Sequence, residues 1–470
     1  MKVGAFATLP GDKSQIKLAK EGRDEILRVT FSNTTGGKWS VDVNPQSKII
    51  SRQIVTITKP KYEEDYTAAV WHIGPAQLTL VWTPPLNKWM APLPDALPLC
   101  ALSIPGTHNS PTHHVAAPSV RCQAHPVPVQ LANGIRFLDV RAQPEQKGTN
   151  MWLVHGAFPV SLTGGKHLLT TLLNHVYEFL AANPSETVMV SLKREGPFEV
   201  PDATFSKILY EKIIAPDVGK WYTGVEIPTL QQCRGKCVLI RRFGLHPEVK
   251  DWGIDGSSWK YNTPNYTSSG GHIQVQDFCE VLAEENVDQK IEYVTAHIDR
   301  AGVYSHIKDT VGINNYSPPP IYLNFLSASN FWNVKCWPEG VAEKVNPAVV
   351  GYLALKHNTG TQPGEGDCGV GVLVADYVGD KGDWNQVRLG VSLNGLVGSR
   401  RVVADNERVE KEMREKAERE KKAKEEEEEK RKKQKEAEAM AEALAKALAK
   451  AEAAKAETAK AEAAKVEGKK

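Results

Sequence analysis

The chain lacks several features that would place it quickly. Its 470 residues contain no apolar run approaching the ~20 residues of a membrane-spanning helix. Met1 to Lys20 carry polar residues throughout, so the apolar core of a secretory signal is missing there. Seven cysteines, Cys100, Cys122, Cys233, Cys237, Cys279, Cys336 and Cys368, are odd in number and scattered. That distribution argues against a disulfide framework and for reduced thiols, so a cytoplasmic location is expected. Cys233 and Cys237 form the closest pair but have no matching second pair, which speaks against zinc. A formal net charge of +2 gives no electrostatic reason to expect nucleic acid. Hydrophobic residues at 41% and charged residues at 24% are the balance of a soluble globular protein.

What is present divides into three stretches. Residues 1–85 hold short alternating runs, such as Ile26 to Phe31, Gln53 to Ile57 and Ala76 to Trp82. Gly36-Gly37, Asn44-Pro45 and Pro60 punctuate them, and period-two strands between such turns predict a small β-sandwich-like domain. After a proline-rich crossing, residues 91–403 alternate β-branched runs with amphipathic stretches. Examples are a helix over Leu168 to Ala182 and strands at Val188 to Leu192, Cys237 to Ile240, Ile321 to Phe325 and Gly371 to Val374. This alternation predicts an α/β fold with a parallel sheet. No glycine-rich phosphate loop follows the first strand, which favours a TIM-type (β/α) barrel over a doubly wound sheet. Residues 404–470 are nearly all Ala, Glu, Lys and Arg, with no Gly or Pro before Gly468. They predict a charged helical or disordered tail. Met440, Leu444 and Leu448 mark a thin apolar stripe, while the run of Glu at 425–429 opposes docking to acidic lipid.

Three constellations carry chemistry. Leu102-Ser103-Ile104-Pro105-Gly106-Thr107-His108-Asn109 is a short strand that ends in a histidine, where a barrel sets its catalytic groups. In Gly134-Ile135-Arg136-Phe137-Leu138-Asp139-Val140-Arg141, Asp139 and Arg141 point to one side of a strand, an arrangement suited to binding phosphate. Trp152-Leu153-Val154-His155-Gly156 is again a strand ending in histidine. Taken singly, each is as readily a structural histidine or ion pair, as is expected for His113, His114, His125 and His272. Three in order are harder to dismiss.

Together these segments resemble the X-domain motifs of the phosphatidylinositol-specific phospholipase C family, most closely its bacterial single-barrel branch. The resemblance continues through Asn183 to Thr187, Ser191 to Glu195, Gly235 to Phe243, Val275 to Asp277, Leu323 to Ser327 and Val374 to Tyr377, and covers roughly residues 97–397. It implies a distorted barrel that cleaves a membrane phosphoinositide to diacylglycerol and a cyclic inositol phosphate. His108 is then the general base, His155 the general acid and Asp376 the carboxylate that orients the base. Arg141, with Asp139 beside it, would stabilise the phosphate, while Lys193, Arg242 and Asp277 would grip the inositol ring. The choice between Arg241 and Arg242 is open. Imidazole suits both proton-transfer tasks because its unperturbed pKa of about 6.5 lies near neutrality.

Two positions depart from the family pattern. Asn109 stands where the bacterial branch carries an aspartate that assists the acid histidine, and resembles instead a metal ligand of the calcium-dependent branch. Arg141 opposes that second reading, because a fixed cation would repel Ca²⁺, which needs about 6–8 oxygen ligands. No metal cofactor is therefore expected. Cys279 replaces an aromatic that stacks on inositol, and Phe278 is expected to point to the other side of its strand. Another phosphodiester lipid, or a weakly catalytic lipid-binding scaffold, are the competing readings. Trp89, Trp332 and Trp337 fall in stretches near a barrel rim, and burial is expected for them over insertion at a membrane interface.

Overall fold

The computed structural model describes residues 83–303, 319–355 and 369–395 with short gaps at 118, 146–147, 149 and 164. It also describes six strands within the first 82 residues and, in the tail, residues 440, 444 and 446–461. Cys368, the turns at Gly36-Gly37, Asn44-Pro45 and Pro60, and the Glu run at 425–429 lie outside the described residues. By its contacts the chain forms two units, Met1–Ala404 and Asp405–Lys470.

In the first unit, β1 (Ala7–Pro10), β2 (Leu27–Ser32), β3 (Lys38–Val43), β4 (Gln53–Val55), β5 (Tyr66–Trp71) and β6 (Gln77–Trp82) are all paired antiparallel. They form a sheet of order β1-β6-β5-β4 and a separate β2-β3 hairpin.

Beyond them the chain alternates between strands and helices. The elements are β7 (Ile104–Thr107), α1 (Val127–Ala132), β8 (Phe137–Pro144), β9 (Met151–His155), β10 (Phe158–Pro159), α2 (Leu169–Ala182), β11 (Val188–Arg194) and α3 (Asp202–Leu209). Next come β12 (Trp221–Tyr222), α4 (Leu230–Cys233), β13 (Cys237–Arg242), β14 (Ile254–Asp255), β15 (Thr263–Thr267), β16 (Ile273–Asp277) and α5 (Glu285–Val303). The series closes with β17 (Ile321–Phe325), α6 (Pro338–Leu355), β18 (Val372–Ala375) and a helix α7 over 385–395.

The strand order β12-β13-β11-β8-β7-β18-β17-β16-β15 is parallel from β12 through β16, and only β15 runs antiparallel to its neighbour. The sheet curls into an α/β barrel of the TIM type. Among the described residues no ladder joins β14 to β15, so the barrel stays open there. Val188, Met189, Val190 and Leu192 of β11 are all buried, as strands covered on both faces must be. The helix expected from Leu168 and the strands expected at Val188, Cys237, Ile321 and Gly371 all form, within a residue or two at their ends.

One expectation needs correction. The strand ending at His155 is not a barrel strand: β9 pairs antiparallel with β8 and turns back through β10. The Trp152–His155 segment is therefore a hairpin that folds His155 over the barrel mouth, because Gly156 at φ 59° permits the reversal.

In the second unit, residues 446–461 are helical, and Met440, Leu444 and Leu448 are exposed. No helix among the described residues is long and apolar enough to cross a membrane.

Candidate active site

The carboxyl ends of the barrel strands surround a cavity of about 690 Å³. His108, Arg141, His155, Lys193, Arg242 and Asp277 all line it. His108 follows β7, Asp376 follows β18, and the two strands are adjacent and parallel, so the ladder itself sets the pair side by side. His108 Nδ1 lies 2.7 Å from Asp376 Oδ1. On the other side of the ring, Arg141 Nη2 lies 2.6 Å from Nε2. A guanidinium only donates and a carboxylate accepts, so both contacts fix one tautomer: Nδ1–H points to Asp376 and the Nε2 lone pair accepts from Arg141. That is the form a general base requires.

Arg141 is itself held by two carboxylates. Its Nε and Nη2 lie 3.3 and 3.2 Å from Asp139 Oδ2, and Nη1 lies 3.3 Å from Glu195 Oε2. Burial opposes its charge, but Glu195 and Asp139 outweigh burial and raise its pKa further. Asp139 is fully buried and also bonded to Arg242 at 3.4 Å and to the Asn109 amide N–H at 3.1 Å. Burial works against that carboxylate too, yet Arg141, Arg242 and His108 hold it well below the usual range. Glu195 likewise stays ionised against burial through Arg141 and Lys193, and accepts from Lys193 Nζ at 2.7 Å and from Gly156 N–H at 2.8 Å. The last bond ties the hairpin that carries His155 to the barrel.

His155 stands edge-on to His108, with ring centroids 5.9 Å apart. Its Nδ1 lies 2.8 Å from the Val120 carbonyl, which can only accept, so Nδ1 carries the proton. Burial, then Arg141 and His108, depress its pKa to about 3. Asn109 does not assist it: that side-chain amide is fully buried with neither atom hydrogen-bonded, while its backbone turns at φ 36° and donates to Asp139. The Asn109 side chain is thus not among the groups brought to His155, and a carbonyl from the following loop occupies the place beside Nδ1.

At the far wall Arg242, not Arg241, faces the cavity. Arg241 turns away to the carbonyls of Trp252 and Phe243. Arg242 lies over the ring of Trp259 at 3.9 Å, and Trp259 Nε1 donates to Asp277 Oδ2 at 3.1 Å. Trp259 and Tyr261 line the same cavity as Cys279, so they supply the aromatic wall that Cys279 does not. Phe278 packs on Tyr293, away from it. Sequence reading missed Trp259, Glu195 and Val120. Only Glu195 left a signal, as the alternate residue two beyond Lys193 on β11 and its continuation.

Trp89 is buried, donating from Nε1 to Gly134 O, whereas Trp332 is 89% exposed beside exposed Phe331 and Leu282 at the cavity mouth. The expected burial of Trp332 is thus overturned, because the segment after β17 extends beyond the barrel end. His125 has a structural role, bonded to Gly379 O at 2.9 Å, and the rings of His113 and His114 lie 3.9 Å apart, tilted, outside the cavity.

The donor set does not fit a calcium ion. The oxygens of Asp139 and Glu195, the carboxylates beside Arg141, are engaged by Arg141, Arg242 and Lys193, which makes them poor ligands for a hard cation.

Residues 96–243 match the family model described as phosphatidylinositol-specific phospholipase C, X domain. The 1-phosphatidylinositol phosphodiesterase of Staphylococcus aureus (strain Newman) is 28% identical over 306 residues, covering 62% of this chain and 88% of that protein. A Listeria monocytogenes protein of the same name is 31% identical over 181 residues, 34% of this chain and 51% of its own. A solved phosphatidylinositol-specific phospholipase C of S. aureus superposes with a TM-score of 0.52 at 24% identity, over 66% of this chain and 97% of that one. The L. monocytogenes structure gives 0.50 at 21% identity, over 66% and 99%. Both structures share the barrel fold. With its motifs in order along that barrel, the chain is similar over residues 96–243 to the X domain of phosphatidylinositol-specific phospholipase C.

Proposed function

We propose that the chain cleaves phosphatidylinositol to diacylglycerol and a cyclic inositol phosphate without a metal ion. One observation carries this reading: two imidazoles with fixed, opposite duties face one cavity, with Arg141 among them. His108 Nε2 takes the proton of the inositol 2-hydroxyl as that oxygen attacks phosphorus. Asp376 stabilises the imidazolium that forms. Arg141 binds the non-bridging phosphate oxygens, where charge gathers in the transition state.

His155 Nε2 donates a proton to the departing diacylglycerol oxygen. In the free site that proton is held weakly, since burial and Arg141 depress the ring to about 3. The phosphodiester anion offsets both effects, so the acid is charged by its own substrate. Lys193, Arg242 and Asp277 receive the inositol hydroxyls, with Trp259 as the stacking surface. Exposed Trp332 and Phe331 at the mouth suit contact with a bilayer interface.

Residues 1–85 are proposed as an accessory domain beside a barrel of 91–403, and 404–470 as a tail. A cytoplasmic location is also proposed, on the odd number and scatter of the seven cysteines along the sequence. Incubation with phosphatidylinositol and, separately, with phosphatidylcholine tests the reading. Diacylglycerol release from the first alone is expected. Equal release from both would transfer the activity to another lipid class, and release from neither would leave a binding scaffold.

A further inference from the structure

Behind the base histidine three different metal-binding atoms meet. One ligand atom each from His108, Cys122 and Asp376 lies within 4.8 Å of the other two, a grouping that occurs once among the described residues. Cys122 is fully buried and firmly placed. Its N–H reaches Thr112 O at 3.2 Å and Thr112 Oγ1 at 3.1 Å, and its carbonyl accepts from Tyr377 N–H at 2.7 Å, the residue after Asp376. The thiol's contacts to Val120 O at 3.6 Å and to His155 Nδ1 at 3.8 Å are long. Catalysis as described above uses no thiol.

We propose that His108 Nδ1, Cys122 Sγ and Asp376 Oδ1 form an inhibitory site for a thiophilic divalent cation of the Zn²⁺ or Cd²⁺ type. Imidazole, thiolate and carboxylate together select such ions over Ca²⁺ or Mg²⁺. Zinc bonds of about 2.0–2.3 Å at tetrahedral angles set ligand atoms about 3.4–3.6 Å apart. The observed group reaches that spacing by parting the 2.7 Å His108–Asp376 contact and drawing the thiol in by at most about 1.2–1.4 Å from its 4.8 Å limit. The two anions balance the ion's charge, which lessens the opposition from Arg141.

The proton inventory explains why binding would silence the enzyme. Cys122 releases its thiol proton to solvent. The Nδ1 proton of His108 must leave the metal-bound nitrogen and moves to Nε2, which becomes N–H. The lone pair that would take the substrate's proton is thereby lost, and Nε2–H is set against the donor of Arg141. This inhibition rests on His108 being the base, whereas the site itself does not.

The test adds Cd²⁺ or Zn²⁺ to the full chain after treatment with chelator, following the thiolate-to-Cd²⁺ charge-transfer absorption and phosphatidylinositol cleavage in parallel. One equivalent of absorption, a matching fall in rate and recovery with EDTA are expected. Cys122→Ser, with Cys122→Ala as a second truncation, should abolish the band. Either should also raise the Zn²⁺ concentration for half-inhibition by at least roughly 10–100-fold, measured against its own metal-free rate. Cys279→Ser removes the thiol that lines the cavity itself and should leave both readouts in place. Cadmium NMR of the unaltered chain reports thiolate ligation without any variant, and a shift typical of oxygen and nitrogen ligands alone would overturn the proposal. So would a band that persists without Cys122. A Cys122-dependent band with undiminished cleavage would keep the site and remove His108 as the base.

Discussion

Replacing Asp376 by asparagine isolates the orienting carboxylate. Asp376 is 2% exposed, and its Oδ1 lies 2.7 Å from His108 Nδ1. An amide of the same shape can still accept from Nδ1–H, but it brings no negative charge to the imidazolium formed when the inositol hydroxyl is deprotonated. In the opposite rotamer it donates to Nδ1, forces the proton to Nε2 and removes the base. A general base contributes about 10²–10⁴-fold, so Asp376→Asn should slow kcat/KM by that range. The loss corresponds to about 2.7–5.4 kcal/mol at 1.36 kcal/mol per decade. Stability should move the other way. Burial, the largest influence on Asp376, raises its pKa despite His108 and Arg141, so the charged form is unfavourable in the fold, and the neutral amide should melt at the same temperature or higher. Initial rates on phosphatidylinositol in mixed micelles, paired with thermal melts, read both quantities. A rate within about tenfold of the unaltered chain would refute the assignment, since it is far below what general base catalysis supplies.

Four further substitutions extend the account. Arg141→Lys keeps a charge but loses the fork that reaches His108, Asp139 and Glu195 together, so kcat should drop about 10²–10³-fold in single-turnover assays. Trp259→Leu removes the platform under Arg242 and the bond to Asp277; KM should rise about tenfold with a smaller change in kcat, as Michaelis curves would show. Arg136→Met leaves Glu186 fully buried without its partner at 2.8 Å, and urea melts should show a loss of about 3–5 kcal/mol, partly recovered on adding Glu186→Leu.

His297, fully buried, is depressed to about 3 by burial and Arg300, so the unfolded chain takes up a proton first as pH falls below about 6.5. Its contribution to stability is therefore present above that pH and lost on the way down to about 3. His297→Gln should reduce the loss of stability between pH 7 and pH 5 by about 1–2 kcal/mol in urea melts.

How much of this was legible in sequence follows from where each contact lies along the chain. His108, Arg141 and Asp376 sit at strand ends in short ordered motifs, and adjacent parallel strands leave little choice about which side chains meet. The partner of His155 could not be read that way. Val120 O and Cys122 belong to a loop whose path is set by bonds to Thr112 and Tyr377, and a backbone carbonyl has no sequence signature. The hairpin carrying His155 looked like another barrel strand because alternation does not distinguish parallel from antiparallel pairing. Trp259 was invisible for a related reason: it reaches the cavity from the segment between β14 and β15, where the barrel stays open. Asn109 misled because residue type suggested a ligand or helper, while its positive φ and buried amide give it another place.

Phosphorus NMR of the products from phosphatidylinositol tests the central claim most directly. Attack by the inositol 2-hydroxyl, with His108 as base and His155 as acid, predicts a five-membered cyclic phosphate as the first product, formed in the presence of EGTA and lost in His108→Ala and His155→Ala. Direct appearance of an acyclic inositol phosphate, or a cyclic product formed at undiminished rate without either histidine, would contradict it.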